Sequence, residues 1–267
     1  MLGQRELGRA SELAIELGRW VIDEVGRKPA STSPTTKAHA ADWVTNVDVS
    51  VERRAREVLA EEFPSHAVVG EELGGTDPPL GRPCWYVDPV DGTTNFVHGL
   101  PGYSFSLAVA DEEGLAAGVV AAPFTGELFW AVRGEGAWLG GQRLQCSPAK
   151  TLVGGIVLVE LAGYRMWPGL VELMVRLEER LCVTRVLGSS AYTLASVGAG
   201  RAAAACFGGC HPIDCAAGVL VAREAGSRVI TGFGAHRVFP ADMSASRAGL
   251  AVAAPGVAEE VLEVWAQ

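Results

Sequence analysis

The chain has 267 residues, of which 49% are apolar and 20% charged, a balance typical of globular proteins that bury a large core. Its formal net charge is -9 and no local basic stripe offsets it, so we expect no nucleic acid partner. No stretch is as apolar and as long as a membrane span, and the charged N-terminus does not resemble a signal peptide. We therefore expect a cytoplasmic protein with no membrane partner.

No linker of biased composition divides the chain, so we predict one domain over residues 1–267, with sub-halves at about 1–145 and 146–267. The six cysteines show no disulfide-framework spacing, which suits a reducing compartment. Cys206, Cys210, His211 and Cys215 form the one cluster that suggests zinc. It contains no C-x2-C pair and lies in an Ala/Gly-rich stretch, so we favour small buried side chains there.

The first predicted element is an amphipathic helix over about 4–26, where apolar residues recur at spacings of three and four. Turn-forming residues over 28–37 then predict a loop that could close over a site. A second helix is predicted from Val51 to about Phe63. A short strand at 67–69 follows it and runs into Glu71.

The middle of the chain predicts strands separated by Gly or Pro, at 85–87, 104–109, 116–121 and 128–132, with a turn at 139–142. This spacing favours a largely antiparallel sheet. The later elements are a strand at 156–159, a helix at 168–181, a helix at 191–200, a strand at 202–207, a helix at 215–225 capped by Asp214, and a terminal helix at 257–265. Helices and strands alternate in blocks, which favours an α/β (α+β) fold of stacked layers over regular βαβ units.

Two carboxylates, Asp88 and Asp91, follow the apolar strand at 85–87. Pro89 fixes the turn between them, and Gly92 allows the backbone to approach a ligand closely. Acids aimed at one place repel each other unless a cation lies between them, so the pattern is typical of a metal site. The alternative is that Asp91 only caps the following helix.

The residues after Asp91 favour the metal site. The N-terminus of the predicted helix offers the N–H groups of Gly92, Thr93 and Thr94 where an anion bound to metals would need donors. Glu71 and Asp214 add carboxylates at the ends of other elements. A set without His or Cys selects Mg²⁺ or Mn²⁺, and two such ions would clamp the attacking and leaving oxygens of a phosphoryl displacement.

Four motifs occur in order along nearly the whole chain: Asp42-Trp43-Val44-Thr45-Asn46-Val47-Asp48, Gly70-Glu71-Glu72, Asp88-Pro89-Val90-Asp91-Gly92-Thr93-Thr94-Asn95-Phe96, and Asp214-Cys215-Ala216-Ala217-Gly218 with Glu224-Ala225-Gly226. Together they resemble the inositol monophosphatase family of lithium-sensitive, Mg²⁺-dependent phosphatases. The resemblance implies a layered α-β-α-β-α sandwich, two or three Mg²⁺ ions and a homodimer.

The resemblance also implies roles for single residues. The expected metal ligands are Glu71, Asp88, the Val90 carbonyl, Asp91 and Asp214. Thr93, bonded to Asp48, would orient the attacking water and with Glu71 form the catalytic set. The N–H groups of Gly92 and Thr93 would hold the phosphate.

Two of these assignments have alternatives. Lys37 falls where the family has a lysine on its active-site loop, although it could equally be a solvated loop charge. Asp48 could instead cap the helix predicted from Val51.

The residues expected to contact substrate depart from the family pattern. Phe207 stands where inositol-specific members carry an acid that accepts hydrogen bonds from ring hydroxyls, and Ile213 stands where they carry Trp. No Asp or Glu occurs between Glu179 and Asp214, so a small shift of alignment does not restore the acid. A list of candidate substrate contacts remains: Gly188, Ser189, Ser190 and Phe207.

The leading hypothesis is therefore an Mg²⁺-dependent phosphomonoesterase that acts on a small polyol or sugar phosphate. Inositol phosphate stays among the candidate substrates, although Phe207 argues against it. Histidinol phosphate or a sugar phosphate of a specialised pathway are alternative substrates. A non-catalytic regulatory protein built on the same fold is an alternative of another class. A glycosidase that uses two of these acids is a third, but it leaves the N–H groups beside them without a role.

Overall fold

The computed structural model describes residues 1–26, 33–37, 40, 42–75, 81–161, 163, 165–231 and 249–266. Its helices are α1 Gln4–Gly26, α2 Asn46–Glu62, α3 Thr93–Val97, α4 Leu170–Glu179, α5 Ser190–Gly198, α6 Pro212–Glu224 and α7 Ala258–Ala266. Its strands are β1 Thr35–Thr36, β2 Trp43–Val44, β3 Ala67–Gly70, β4 Cys84–Asp91, β5 Ser104–Asp111, β6 Gly114–Ala122, β7 Glu127–Val132, β8 Gly136–Leu139, β9 Gln142–Arg143, β10 Ile156–Glu160, β11 Val183–Arg185, β12 Ala204–Phe207, β13 Arg228–Thr231 and β14 Leu250–Ala253.

The strands form two large sheets and one small ladder. The seven-stranded sheet has the order β3-β4-β5-β6-β7-β8-β9, and all its pairs are antiparallel except β3 with β4. The five-stranded sheet has the order β11-β10-β12-β14-β13 and is mixed, because β10 runs parallel to both of its neighbours. The antiparallel pair β1–β2 stands apart.

The helices separate these sheets into layers. Helices α1 and α2 cover one face of the seven-stranded sheet, and α5 and α6 lie between the two sheets. Helices α4 and α7 cover the far face of the five-stranded sheet. The predicted α-β-α-β-α sandwich is confirmed. Among the described residues, none of the helices combines the length and the apolarity that spanning a bilayer requires.

Small residues let the central helices pack closely. A Cβ added at Gly218 of α6 would lie 2.6 Å from Leu194 Cβ and 2.8 Å from the Ala191 carbonyl oxygen, both on α5. Gly118 of β6 faces the Cα of Ala217 on α6 in the same way. Because α6 is buried on nearly every side, it carries little helical amphipathicity, and its sequence is almost uniformly small and apolar.

Two helix starts differ from the prediction, and each has a local cause. Helix α2 begins five residues earlier than expected, because Thr45 and Asp48 form a capping box. Asp214 does not cap α6: the cap is His211, whose ring accepts the Ile213 N–H, and Pro212 occupies the first turn. Asp214 therefore lies inside that turn.

The strand predictions were incomplete. The short strands β2, β8, β9, β11, β13 and β14 were missed, although the turn between β8 and β9 was predicted. Of the predicted loop at 28–37, residues 28–32 lie outside the described part, and Thr35–Thr36 pairs with Trp43–Val44 rather than being unstructured.

We predict opposite effects for two glycine-to-alanine changes in helices. Gly218→Ala forces the α5 backbone to shift and should destabilise the fold by about 1–3 kcal/mol. Gly8→Ala in α1 meets nothing within 4 Å and should stabilise it by up to about 1 kcal/mol. Urea unfolding of both variants measures the difference, and an unaffected Gly218→Ala variant would contradict the close α5–α6 packing.

Candidate active site

A β-bulge aims the two motif acids at one place. Asp88 pairs with Ser106 and Asp91 with Ser104, so two residues of β4 stand opposite one of β5. On a regular strand, side chains three positions apart point to opposite faces. The bulge removes that alternation, and both acids line one pocket of about 600 Å³.

That pocket joins residues from both halves of the chain. Glu71 follows β3, held by a 3.2 Å bond from its N–H to the Val87 carbonyl, and Asp214 comes from the first turn of α6. The remaining lining residues are Asp42, Trp43, Val90, Gly92, Thr93, Thr94, Asn95, Glu160, Leu161, Gly163, Val186, Leu187, Gly188, Ser190 and Gly209. The structure thus brings together the five predicted metal ligands.

Asp91 is held by the start of α5. Its Oδ2 accepts hydrogen bonds from Ser189 Oγ at 2.6 Å and from the Ala191 N–H at 2.7 Å. Ser189 also exchanges a 3.0 Å bond with Ser104 and caps α5 by accepting the Tyr192 N–H. Ser189 is 1% exposed and outside the pocket lining, and its hydroxyl contacts Asp91. These contacts support a role in positioning Asp91, whereas its contact with substrate stays a prediction.

Glu160, at the end of β10, was missed by sequence reasoning. Its carboxylate accepts hydrogen bonds from the N–H groups of Leu187 and Gly188 and from Thr193 Oγ1 at 2.6 Å. Asn95 holds the same loop from the other side, by donating to the Leu187 carbonyl at 2.8 Å. Glu160 therefore fixes the loop that delivers Ser189 to Asp91. An acid that ends an otherwise apolar strand was the available signal.

Asp48 makes the contacts that both of its suggested roles would require. Its Oδ2 accepts the Thr45 N–H and hydroxyl as part of the α2 cap, and its Oδ1 lies 3.3 Å from Thr93 Oγ1. Thr93 Oγ1 also lies 2.9 Å from the Val90 carbonyl. Burial raises the pKa of Asp48, although the bonds from Thr45 oppose that shift.

Lys37 is not a solvated charge. Its ammonium group bonds Glu71 Oε1 at 2.8 Å and also bonds Glu72. Burial lowers the pKa of Lys37, but the hydrogen bonds that it donates to Glu71 and Glu72 outweigh this effect, so the net shift is upward. Burial also raises the pKa of Glu72 to about 7, despite the bond from Lys37. One lysine is thus paired with the edge of the acid cluster.

The remaining acids raise one another's pKa values. Burial and the charges of Glu71, Asp91 and Asp214 hold the pKa of Asp88 well above its usual range. The pKa of Asp91 is raised by burial and by Asp214, against the bonds from Ser189 and Ala191. The pKa of Asp214 rises to about 7 through burial and the charge of Glu71. Each ionised acid therefore makes ionisation of the next more costly.

This donor set fits a hard divalent cation by its chemistry. It offers carboxylate and carbonyl oxygens, without His or Cys, and its mutual repulsion is what a bound cation would relieve. In the present side-chain conformations, no group of three or more His, Cys, Asp and Glu residues in the described part of the chain is arranged to hold a metal ion. Glu71 is bonded to Lys37 and Asp91 to Ser189, so we expect side-chain rotation when the acids close on an ion.

The predicted phosphate donors lie at the start of α3. Gly92 has a φ of 92°, in the left-handed region, and a Cβ there would lie 2.7 Å from the carbonyl oxygens of Gly102 and Gly188. Only glycine fits this position without strain. The first N–H groups of a helix have no acceptor four residues before them, so those of Gly92 and Thr93 are open to a ligand.

The predicted substrate contacts divide into two groups. Gly188 and Ser190 line the pocket. Phe207 is 2% exposed and Ile213 is 7% exposed, and both belong to the apolar core between the sheets. Because β12 is buried on both faces, the structure does not place Phe207 at the pocket surface, and its contact with substrate stays a prediction.

The site is thus a carboxylate cluster with adjacent anion donors, as in metal-dependent enzymes that act on phosphates. A family model described as the inositol monophosphatase family matches residues 4–265, and the chain belongs to that family.

Two relatives and one solved structure show the extent of the likeness. The Nus factor SuhB of Haemophilus influenzae is 35% identical over 259 residues, covering 96% of this chain and 94% of that protein. The inositol-1-monophosphatase of Caulobacter vibrioides is 34% identical over 200 residues, covering 73% and 78%. The structure of the Thermotoga maritima IMPase superposes with a TM-score of 0.81 at 29% identity, covering 98% and 97%.

We predict that Ser189→Ala weakens Mn²⁺ binding by about tenfold, because Asp91 loses its 2.6 Å hydrogen bond. Ser189→Thr keeps the hydroxyl and should restore most of the affinity. Ser190→Ala is the matched control and should bind Mn²⁺ as the wild type does, because the hydroxyl that bonds Asp91 belongs to its neighbour. Calorimetry measures all three, and equal affinity for Ser189→Ala and wild type would refute the positioning role.

Proposed function

We propose that the protein is a divalent-metal-dependent phosphomonoesterase that hydrolyses a small polyol or sugar phosphate. The observation that carries this proposal is the convergence of Glu71, Asp88, Asp91 and Asp214 on one pocket, next to the open N–H groups of Gly92 and Thr93. Carboxylates attract cations, and the N–H donors attract the anion that such cations would bind. Mg²⁺, as two or three ions, is the proposed cofactor, and Mn²⁺ could replace it.

The chain's own groups would hold and orient the reactants. The N–H groups of Gly92 and Thr93 would donate to phosphate oxygens. Thr93 Oγ1 can donate its proton to Asp48, which leaves its lone pairs to accept a hydrogen bond from the attacking water. Glu71 borders the same pocket and completes the proposed catalytic set. Bound Mg²⁺ would supply Lewis-acid polarisation of the phosphate and stabilise the leaving oxygen.

The substrate is proposed only as a class. No carboxylate stands at position 207, so the contact that favours inositol in the family is missing. Inositol phosphate is therefore not our preferred substrate, whereas histidinol phosphate and specialised sugar phosphates remain alternatives within the same chemistry.

We further propose that the chain acts as one domain and as a cytoplasmic homodimer. Residues from both sub-halves supply the site, which supports a single domain. All six cysteines are free thiols, which suits a reducing compartment. Exposed apolar side chains on α4 and on β11, an edge strand of its sheet among the described strands, support a self-association surface: Val171, Met174, Val175 and Val183.

A non-catalytic regulatory role is the alternative of a different class. It is favoured by the 35% identity to a protein named a Nus factor. The complete set of acids and the net charge of -9 argue against a role that depends on nucleic acid contact alone. Tight binding to a macromolecule together with no release of phosphate from any small ester would favour this alternative.

We predict that Asp91→Asn lowers Mg²⁺-dependent phosphate release by roughly 100-fold or more, because the amide lacks the negative charge with which a proposed ligand would hold the cation. The metal-free variant should be at least as stable as the wild type, since it removes one repelling charge. A phosphate-release assay across polyol, sugar and histidinol phosphates measures the first effect, and thermal unfolding measures the second.

The exposed Asp23→Asn variant on α1 is the control and should keep full activity. Near wild-type activity of Asp91→Asn would refute the site assignment. Activity that survives EDTA would instead support chemistry by the carboxylates alone, as in the glycosidase alternative.

A further inference from the structure

Part of the pocket wall is apolar and open to solvent. Leu161, directly after β10, is 36% exposed, and Val186, directly after β11, is 47% exposed, yet both line the pocket that holds the acids. Trp43 of β2 adds a half-buried indole ring to the same lining. Apolar side chains exposed inside a binding pocket gain free energy when a ligand covers them.

The side chains near position 207 are not available to form hydrogen bonds with ring hydroxyls. Position 207 holds a buried phenylalanine. Glu160 is the acid that lines the pocket closest to it, since the two residues pair across β10 and β12. Both Glu160 oxygens accept hydrogen bonds from the chain itself, and the residue is 4% exposed. Glu160 therefore binds the loop before α5 and has no oxygen left for a substrate hydroxyl.

The side-chain amide of Asn95 likewise forms hydrogen bonds within the protein. Its Nδ2 lies within 3.1 Å of the carbonyl oxygens of Pro101, Gly102 and Leu187, so the amide ties α3 to the loop before α5. Outside the metal and phosphate groups, the other polar side-chain groups among the described lining residues belong to Asp42, Thr94 and Ser190, together with the indole N–H of Trp43. They are too few to match a ring with a hydroxyl on every carbon, and each unmatched hydroxyl weakens binding.

We propose that the preferred substrate is a phosphate monoester whose alcohol is poor in hydroxyl groups and has an apolar face. Trp43, Leu161 and Val186 contact that face while the acid cluster and the α3 start hold the phosphate. The proposal rests on the phosphomonoesterase function, and within it favours an alcohol with fewer hydroxyl groups than the polyols and sugars named above.

The test compares two ring phosphates of the same size, cyclohexyl phosphate and inositol 1-phosphate. Calorimetry on the whole protein, with Ca²⁺ in place of Mg²⁺ to slow turnover, gives their dissociation constants. We expect cyclohexyl phosphate to bind about tenfold more tightly or better, because it leaves no hydroxyl without a partner. Equal or tighter binding of inositol 1-phosphate overturns the proposal.

Two variants test whether the apolar wall causes the preference for cyclohexyl phosphate. Val186→Thr and Leu161→Asn keep side-chain size but add polar groups, so each should reduce the cyclohexyl preference by about threefold or more, with unchanged affinity for inorganic phosphate. Val153→Thr, at a 56% exposed site before β10 and outside the pocket, is the matched control and should leave both affinities unchanged. A preference that survives both pocket variants contradicts the assigned wall.

Phosphate release in Mg²⁺ is measured separately with the same two esters. Release of neither, together with the expected difference in binding, would refute the phosphomonoesterase function and leave the apolar wall supported. Release of phosphate from both esters, with a preference for inositol 1-phosphate, would support the phosphomonoesterase function and refute the apolar wall.

Discussion

The repulsion among buried carboxylates is the constraint on which the rest of this structure depends. Asp88 and Asp91 are almost fully buried, and Asp214 has a pKa raised to about 7 by burial and by Glu71. Collecting these acids in one pocket costs free energy that a random arrangement would avoid. A fold that maintains such a cluster needs either protons or cations to offset the charge.

Several elements far apart in sequence hold the cluster in place. The β4 bulge turns two acids the same way, while the α5 start binds Asp91 through Ser189 and Ala191. Glu160 anchors that loop from the five-stranded sheet. Lys37 supplies one positive charge at the edge, bonded to Glu71. Because these bonds join both halves of the chain, the geometry of the site depends on how the two large sheets pack around α5 and α6.

The acids themselves could be predicted from sequence, since each ends or begins an element and the Asp88–Phe96 turn is a local signal. Helix α1 and most strands of the large sheet were predicted for a similar reason, because their apolar periodicity is local. The residues that position these acids could not be predicted from sequence, because their roles depend on tertiary contacts. Ser189 directly precedes a predicted helix, which indicates a cap, but nothing in the sequence shows that its hydroxyl meets Asp91. Phe207 was assigned to substrate binding from its place in the family pattern, but it lies in β12, which is buried.

The most direct test of the carboxylate cluster is a calorimetric Mn²⁺ titration at about pH 6.5, repeated in buffers of different ionisation enthalpy to count the protons released. Because the pKa of Asp214 is raised to about 7, this carboxyl is largely protonated at pH 6.5 in the metal-free site, and a bound cation displaces its proton. We expect tight binding with proton release that diminishes toward pH 9 and is reduced in Asp214→Asn. Binding without proton release, or binding that Asp214→Asn leaves unchanged, would contradict it.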